Sequence, residues 1–339
     1  MITLNISASS RQMYNFDQSK VLVTGGAGFI GSHLCDKLLQ LGAHVVCLDN
    51  FITGHRKNIV HNEANPAFTL IEGDIRDMET CQKAMNGCTH VSHQAALGSV
   101  PRSVNDPLIT NDINITGTLN IFFAAYNAGI KRVVFASSSS CYGDEETLPK
   151  VETLVGSPLS PYAITKVCGE LYAAVFQSLY GMEMIGLRYF NVFGPRQDPE
   201  GMYAAVIPKF VQSLINHESP QIHGDGSQSR DFTYIENVLQ MNLLALSTHS
   251  HEASGQNYNV ACQKRITVNN LFESIKSLLI GYDSKIQNIN SEHVEPRLGD
   301  IPHSLANIDL AREMLGYDPK IMAEEGLSKA IDWYWENLQ

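Results

Sequence analysis

Through the first half of the chain, short runs of apolar and β-branched residues alternate with stretches whose apolar positions recur every three or four residues. The runs are KVLVT (20–24), HVVCLD (44–49), FTLIEGD (68–74), HVSHQA (90–95), RVVFASS (132–138) and EMIGLRYF (183–190). Hydrophobicity that is continuous rather than alternating suits strands covered on both faces, which means a parallel sheet between two layers of helix. Between the runs, Ile30, Leu34, Leu38 and Leu41 fall at helical spacing, as do Ile115, Leu119, Phe122 and Phe123. The pattern predicts an α/β fold with a doubly wound parallel sheet of the Rossmann type. After about residue 190 the alternation fades, and Gly/Pro-rich connections such as NVFGPRQDPEG (191–201) and HGDGSQSR (223–230) appear. We therefore expect a first domain over 1–190 and a second, smaller α/β substrate-binding domain over 191–339, with segments around 229–262 returning to the first sheet. The stretch from Leu327 to Trp335 reads as a packing helix.

Composition narrows the classes. The 339 residues can bury a large core, and a 44% hydrophobic, 17% charged composition is that of a globular chain. A net charge of −11 argues against sequence-independent binding to nucleic acid or to an acidic membrane surface. Seven cysteines with no CxxC pair indicate neither a disulfide framework nor a zinc cage. Twelve histidines fall at no metal-ligand spacing with carboxylates, so no metal is expected. The first twenty residues carry no continuous apolar stretch, and the expected location is cytoplasmic.

The chemistry begins at VLVTGGAGFIGSHLCDKLL, which places Gly25, Gly28 and Gly31 straight after a strand and at the opening of a helix. Glycines there allow a tight turn, let backbone N–H groups approach a pyrophosphate and let helix and strand pack closely. The second strand ends at Asp49, eighteen positions after Gly31, where a carboxylate accepts hydrogen bonds from an adenosine ribose and repels a 2′-phosphate. The expected cofactor is NAD. Asp74, ending the third strand, is placed to meet the adenine amino group.

A second signal lies in SPYAITK (160–166), where Pro161 suits a first helical turn and Tyr162 and Lys166 lie one turn apart on one face. For a phenol to act as a base near pH 7 its anion must gain roughly 4 kcal/mol of preferential stabilisation. A neighbouring ammonium, aided by an oxidised nicotinamide, supplies charge of the right sign.

Together these residues resemble the extended short-chain dehydrogenase/reductase family, from Lys20 to the end of the chain. The family's GxxGxxG turn, its hydroxyl residue before a YG pair (Ser138 in SSSSCYG) and its YxxxK are all present. Within the family the chain is similar to bacterial UDP-hexose 4-epimerases acting on N-acetylated sugars, through DNFITGH (49–55), HQAALGSVPRS (93–103), LSPYAITK (159–166), LRYFNVFGPRQDP (187–199), AAVIPKF (204–210) and SRDFTYIENV (229–238). The resemblance implies catalytic roles for Ser138, Tyr162 and Lys166, with Ser139 and Ser140 close enough to share that of Ser138. It implies that Phe29, Ile30, Asn50, Phe51, Thr53, Gly54, Ile75, Gln94, Ala95, Ala96 and Tyr189 line the NAD. Asn191, Ala205, Val206, Gln221, His223, Arg230, Arg297 and Asp300 would hold the uridine diphosphate half of a UDP-sugar, guanidinium forks suiting phosphate oxygens. Arg230 could alternatively pair with Asp231. The family's YING is QIHG here (221–224), a departure at the uracil contacts.

In the implied reaction Tyr162, as phenolate, removes the sugar 4-hydroxyl proton while hydride leaves C4 for the nicotinamide. The 4-keto sugar then turns its other face and takes hydride back. Ser138 would hydrogen-bond the 4-oxygen, and Lys166 would hold the nicotinamide ribose and lower the tyrosine pKa. Family members restricted to glucose and galactose carry a bulky tyrosine where RLGDIPHS has Ser304. A small residue there, with Gly98 and Ser99 as a further small wall, points to UDP-N-acetylglucosamine and UDP-N-acetylgalactosamine or the corresponding uronic acids. A nucleotide-sugar decarboxylase and a UDP-glucose/galactose epimerase are the alternatives. A 4,6-dehydratase would need an Asp-Glu pair where Ser139 and Ser140 stand, and a non-catalytic regulator would have lost the tyrosine or lysine. Family members commonly form homodimers through two helices per subunit, and Leu171, Val175 and Leu179 on the Tyr162 helix could serve either that contact or core packing.

Overall fold

The computed structural model describes Tyr14 and residues 16–198, 205–296 and 302–338. The six apolar runs form strands β1 (Lys20–Thr24), β2 (His44–Asp49), β3 (Phe68–Glu72), β4 (His90–His93), β5 (Arg132–Ser138) and β6 (Glu183–Tyr189). All are parallel, in the order β6-β5-β4-β1-β2-β3, and the strand Asn257–Val260 adds to the outer edge of β6 in register Asn257 to Gly186 through Val260 to Tyr189. Chain order reverses between β1 and β4, so a crevice opens at their C-terminal ends, the place where such sheets bind ligands.

Residue alternation explains the continuous hydrophobic runs. Val21, Val23, Val45, Cys47, Val134, Ile185 and Leu187 enter one apolar core, while Leu22, Val46, Leu48, Val133, Phe135 and Met184 enter another on the opposite face. The helix Phe29–Gln40 covers the first face with buried Leu34 and Leu38, beside the helix Ile235–Ser247. The helices Gly117–Asn127 and Pro161–Tyr180 cover the second with Phe122 and Phe176. Of the apolar positions expected in the former, Phe122 is buried, whereas Phe123 faces outward at 42% exposure.

Beyond β6 the chain builds short pairings rather than a second large sheet. Val192–Phe193 pairs with Thr233–Tyr234, Ser229–Asp231 runs antiparallel to Arg265–Thr267, and Gln221–His223 runs parallel to Glu292–Val294. The helices Val206–Ile215, Val268–Leu279 and Ala323–Asn337 pack behind them, the last burying Leu327, Ala330, Ile331 and Tyr334. One apolar core runs from the first face of the parallel sheet into these helices. Among the described residues no helix is long and apolar enough to cross a membrane.

Candidate active site

The crevice at the strand-order reversal is a cavity of about 330 Å³. Its floor is the glycine turn. Gly25 has φ +65°, and a side chain there would place Cβ 2.8 Å from the Ala95 backbone. A Cβ on Gly31 would sit 2.1 Å from the Gly25 carbonyl oxygen, so helix and turn close up only because both residues are glycine. No side chain caps the Phe29–Gln40 helix at Gly28, which leaves its N-terminal N–H groups facing the cavity that Gly28, Phe29, Ile30 and Gly31 line. This cradle suits a pyrophosphate.

Asp49 lines the same cavity and is 7% exposed. Burial raises its pKa, while N–H donors from the turn oppose the rise: Ala27 N–H meets Oδ2 at 2.8 Å and Phe51 N–H meets Oδ1 at 2.8 Å. The carboxylate thus ties the turn to the end of β2 and keeps acceptor capacity for a ribose hydroxyl. Asn50, Thr53, Ile75, Gln94, Ala95, Ala96 and Tyr189 also line the cavity. Tyr189 Oη donates to Gln94 Oε1 at 3.0 Å, and Gln94 Nε2 donates to Asn242 Oδ1 at 3.0 Å.

Three expected cofactor residues sit differently. Phe51 turns its ring against the apolar core and contributes its N–H to Asp49. Gly54 packs on Asp49, where a Cβ would lie 2.9 Å from both carboxylate oxygens. Asp74 accepts from Arg76 Nε (3.0 Å), Arg76 Nη2 (2.8 Å), the Arg76 N–H (2.8 Å) and Asn50 Nδ2 (2.7 Å). Arg76 holds its carboxyl down at about 2, and these four donors occupy the acceptor sites expected to serve adenine.

At the cavity's far wall the Pro161–Tyr180 helix starts with Ser160 as cap, its Oγ accepting from the Ala163 N–H at 3.1 Å, and Pro161 in the first turn. The Tyr162 N–H donates to Ser103 Oγ at 3.0 Å, and Asn114 Nδ2 donates to Thr165 Oγ1 at 3.1 Å. These contacts fix the angle at which Tyr162 and Lys166 enter the cavity they line. Lys166 Nζ lies 5.7 Å from the Tyr162 ring centroid and donates to the Ala136 carbonyl at 2.9 Å, leaving two N–H donors.

The Ser138 hydroxyl stands beside the Tyr162 phenol and lowers its pKa. Ser138 Oγ accepts from the Ser140 N–H (3.1 Å) and Ser140 Oγ–H (2.9 Å), so its own hydrogen is the one available to the phenol oxygen. Burial pushes the phenol up to about 12, against the effect of Ser138. Burial draws the Lys166 ammonium down to about 8, opposed by the Glu170 carboxylate. The lysine is not among the groups that lower the tyrosine, so in the free protein desolvation outweighs the expected ammonium effect. His93, behind this wall, meets Thr24 Oγ1 (2.7 Å) and Thr118 Oγ1 (2.9 Å), and burial draws its pKa down to about 3. Among the described residues no cluster of His, Cys, Asp or Glu could hold a metal ion.

A second cavity, of about 480 Å³, is lined by Asn191, Val206, Gln221, His223 and Arg230, with Ala205 at the adjoining helix start. Tyr189 lines the first cavity and Asn191 the second, so the chain passes from one to the other within two residues. Arg230 Nη1 donates to the Ser229 and Pro302 carbonyls at 3.0 and 3.1 Å. Lys209, Phe210, Gln228 and Phe232 also line it and were not among the expected contacts. Lys209 was findable as the one cation of AAVIPKF.

Gly98 lines the first cavity, while Ser99 caps the helix Val100–Asn105 at φ +93°. Ser304 donates its N–H to the Ser229 carbonyl at 2.9 Å, beside the strand that carries Arg230. Ser139 follows Ser138 in a short helical turn. Arg297 and Asp300 lie outside the described residues.

A model of the NAD dependent epimerase/dehydratase family matches residues 21–261. A protein of Methanocaldococcus jannaschii named putative UDP-glucose 4-epimerase is 39% identical over 94% of this chain and 99% of its own length. The solved UDP-N-acetylglucosamine 4-epimerase of Methanobrevibacter ruminantium M1, in complex with UDP-N-acetylmuramic acid, is 40% identical, covers 94% of this chain and 99% of its own, and superposes with a TM-score of 0.87. The UDP-glucuronic acid 4-epimerase of Bacillus cereus, solved with UDP-glucuronic acid and NAD, is 31% identical over 94% of this chain and 99% of its own, with a TM-score of 0.84. The glycine cradle, the carboxylate at the end of β2 and these likenesses agree: the chain belongs to the NAD dependent epimerase/dehydratase family, whose cofactor is NAD.

Proposed function

We propose that this chain interconverts UDP-sugars that differ in configuration at C4, with UDP-N-acetylglucosamine and UDP-N-acetylgalactosamine as the preferred pair and the matching uronic acids as further candidates. The observation that carries the reading is that Tyr162 and Lys166 line the same cavity as the glycine turn and Asp49. Gly25, Gly28, Gly31, Asp49, Gln94, Lys166 and Tyr189 would hold the dinucleotide, which when bound supplies the oxidised nicotinamide that accepts and returns the C4 hydride.

The chain's own part is proton transfer and placement. Tyr162 takes the proton of the sugar 4-hydroxyl and returns it after the sugar has turned over. Ser138, donating its hydrogen, steadies the phenol oxygen as it becomes anionic, and the Lys166 ammonium favours the same charge. Gln221, Asn191 and Arg230 would keep the nucleotide end fixed while the sugar rotates, with Lys209 supplying a second cation for the diphosphate in a chain of net charge −11.

Two small residues support the acetamido sugar. A Cβ added to Gly98 would meet nothing within 4 Å, and the resemblance sets the compact Ser304 where a bulky residue would restrict the sugar. The test is competition among UDP-N-acetylglucosamine, its uronate and UDP-glucose, with products resolved by NMR. The acetamido sugar should give the highest kcat/KM. Preference for UDP-glucose would overturn the substrate assignment, and release of carbon dioxide from the uronate would replace epimerisation by decarboxylation.

The reading includes a homodimer. Leu171 (62% exposed), Val175 and Leu179 (71%) form an apolar stripe on the Tyr162 helix beside exposed Phe123 and Tyr180, more bare apolar surface than a lone helix face needs.

A further inference from the structure

We infer that Glu170 is a positioning residue for Tyr162 and Lys166, a buried carboxylate that fastens the ends of β5 and β6 to the helix carrying both. The inference rests on the epimerase reading for its effect on turnover, while the geometry that carries it is independent of substrate. Tyr162, Lys166 and Glu170 stand at four-residue steps along one face of the Pro161–Tyr180 helix. Glu170 Oε1 accepts from Ser137 Oγ at 2.5 Å and from Arg188 Nε at 2.9 Å, and its Oε2 accepts from Arg188 Nη2 at 2.7 Å. Each partner adjoins a residue of the site: Ser137 precedes Ser138, and Arg188 precedes Tyr189. One carboxylate therefore sets the spacing between the serine that faces the phenol, the tyrosine that lines the cavity and the helix that presents the dyad.

The pair is deeply placed, with side chains 4% exposed for Arg188 and 10% for Glu170. A buried ion pair of this kind is weak in net stabilisation compared with apolar residues of similar volume, so its value must lie in fixed geometry or in its field. Both apply. Arg188 is anchored beyond Glu170 by the Glu152 carbonyl (3.0 Å) and by the Tyr142 ring, 4.9 Å from its guanidinium carbon. Of the groups facing Lys166, Glu170 supplies the negative charge that favours the ammonium, while Cys141, His93 and Tyr162 stand neutral beside it, burial having pushed the Cys141 thiol up to about 11. Removing the Glu170 charge would also leave Arg188 unpaired, and both changes work against the lysine ammonium.

The test compares wild type with Glu170→Gln and Ser137→Ala. Lysine 13Cε NMR on the free protein, with the Lys166 signal assigned through Lys166→Arg, reads the ammonium without cofactor or substrate. Glu170→Gln should move the Lys166 titration down by about one pH unit. It should also lower kcat for the UDP-sugar about tenfold or more with little change in KM, since misplacement of a reacting group is costly. Ser137→Ala, which keeps the ion pair, should lower kcat while leaving the Lys166 titration in place. If Glu170→Gln fails to fold, the double variant Glu170→Met/Arg188→Met, free of an unpaired charge, should fold and show the same loss of kcat. An unmoved Lys166 titration together with wild-type kcat in Glu170→Gln, or wild-type kcat in the double variant, would overturn the inference. A wild type that turns over no UDP-sugar would instead overturn the epimerase reading, and the NMR titration would still decide the role of Glu170.

Discussion

At the residue scale the account rests on a phenol and an ammonium whose burial works against their task. The free protein holds Tyr162 at about 12 and Lys166 at about 8, so rising pH favours the phenolate until the ammonium is lost. Turnover should climb with pH and level off above about pH 8, where each gain in phenolate is matched by a loss of ammonium, and a pH profile that keeps rising to pH 10 would contradict the need for a charged lysine. Tyr162→Phe should lower kcat by at least about 100-fold while NAD remains bound, checked by product NMR and by NAD released on denaturation. The lysine also makes a stability prediction. Its folded pKa lies below the ordinary 10.5, so the folded state carries a penalty for the ammonium that is full below pH 8 and fades as pH rises toward 10.5. Lys166→Met should therefore raise Tm at pH 7, with a smaller gain at pH 10; a lower Tm at pH 7 would contradict this. The tyrosine and lysine were legible because their relation is a four-residue helical step. The acceptor sites of Asp74 were harder to foresee, although Arg76 two residues later was a visible competitor. Glu170 gave no local signal, since its partners Ser137 and Arg188 come from distant strands.

At the element scale, the strands of the parallel sheet were readable because burial on both faces writes an uninterrupted apolar run, and each run divides its side chains between the two cores. The glycine turn was readable because no other residue fits it. Gly31→Ala should abolish NAD binding, its Cβ being set 2.1 Å from the Gly25 carbonyl oxygen, whereas Gly98→Ala should fold with unchanged Tm and chiefly reduce kcat/KM for the acetamido sugar. Calorimetric NAD titration and thermal melts check the pair, and intact NAD affinity in Gly31→Ala would contradict the turn's role. The pairings beyond β6 were not legible, because strands of two or three residues carry too little periodicity to read. Their register is set by distant contacts, such as the buried Asp231 carboxylate accepting from the Cys262 and Ala306 N–H groups.

At the scale of the whole molecule, two cavities adjoin through the chain between Tyr189 and Asn191, the proposed reading assigning the dinucleotide to one and the UDP-sugar to the other, and an apolar stripe stands exposed on the Tyr162 helix. The proposed homodimer predicts that Leu171→Asp combined with Leu179→Asp shifts light-scattering mass from two chains to one, and a wild-type monomer would contradict it. The stripe was visible in sequence, but whether it faced core or solvent depended on packing that local spacing does not encode. The most direct measurement is to incubate the protein with NAD and UDP-N-acetylglucosamine in deuterated water and follow the sugar by proton NMR. The account predicts conversion to UDP-N-acetylgalactosamine with hydrogen retained at C4, because the hydride leaves and returns without exchanging with solvent. Deuterium at C4, or no C4 epimer at all, would contradict it.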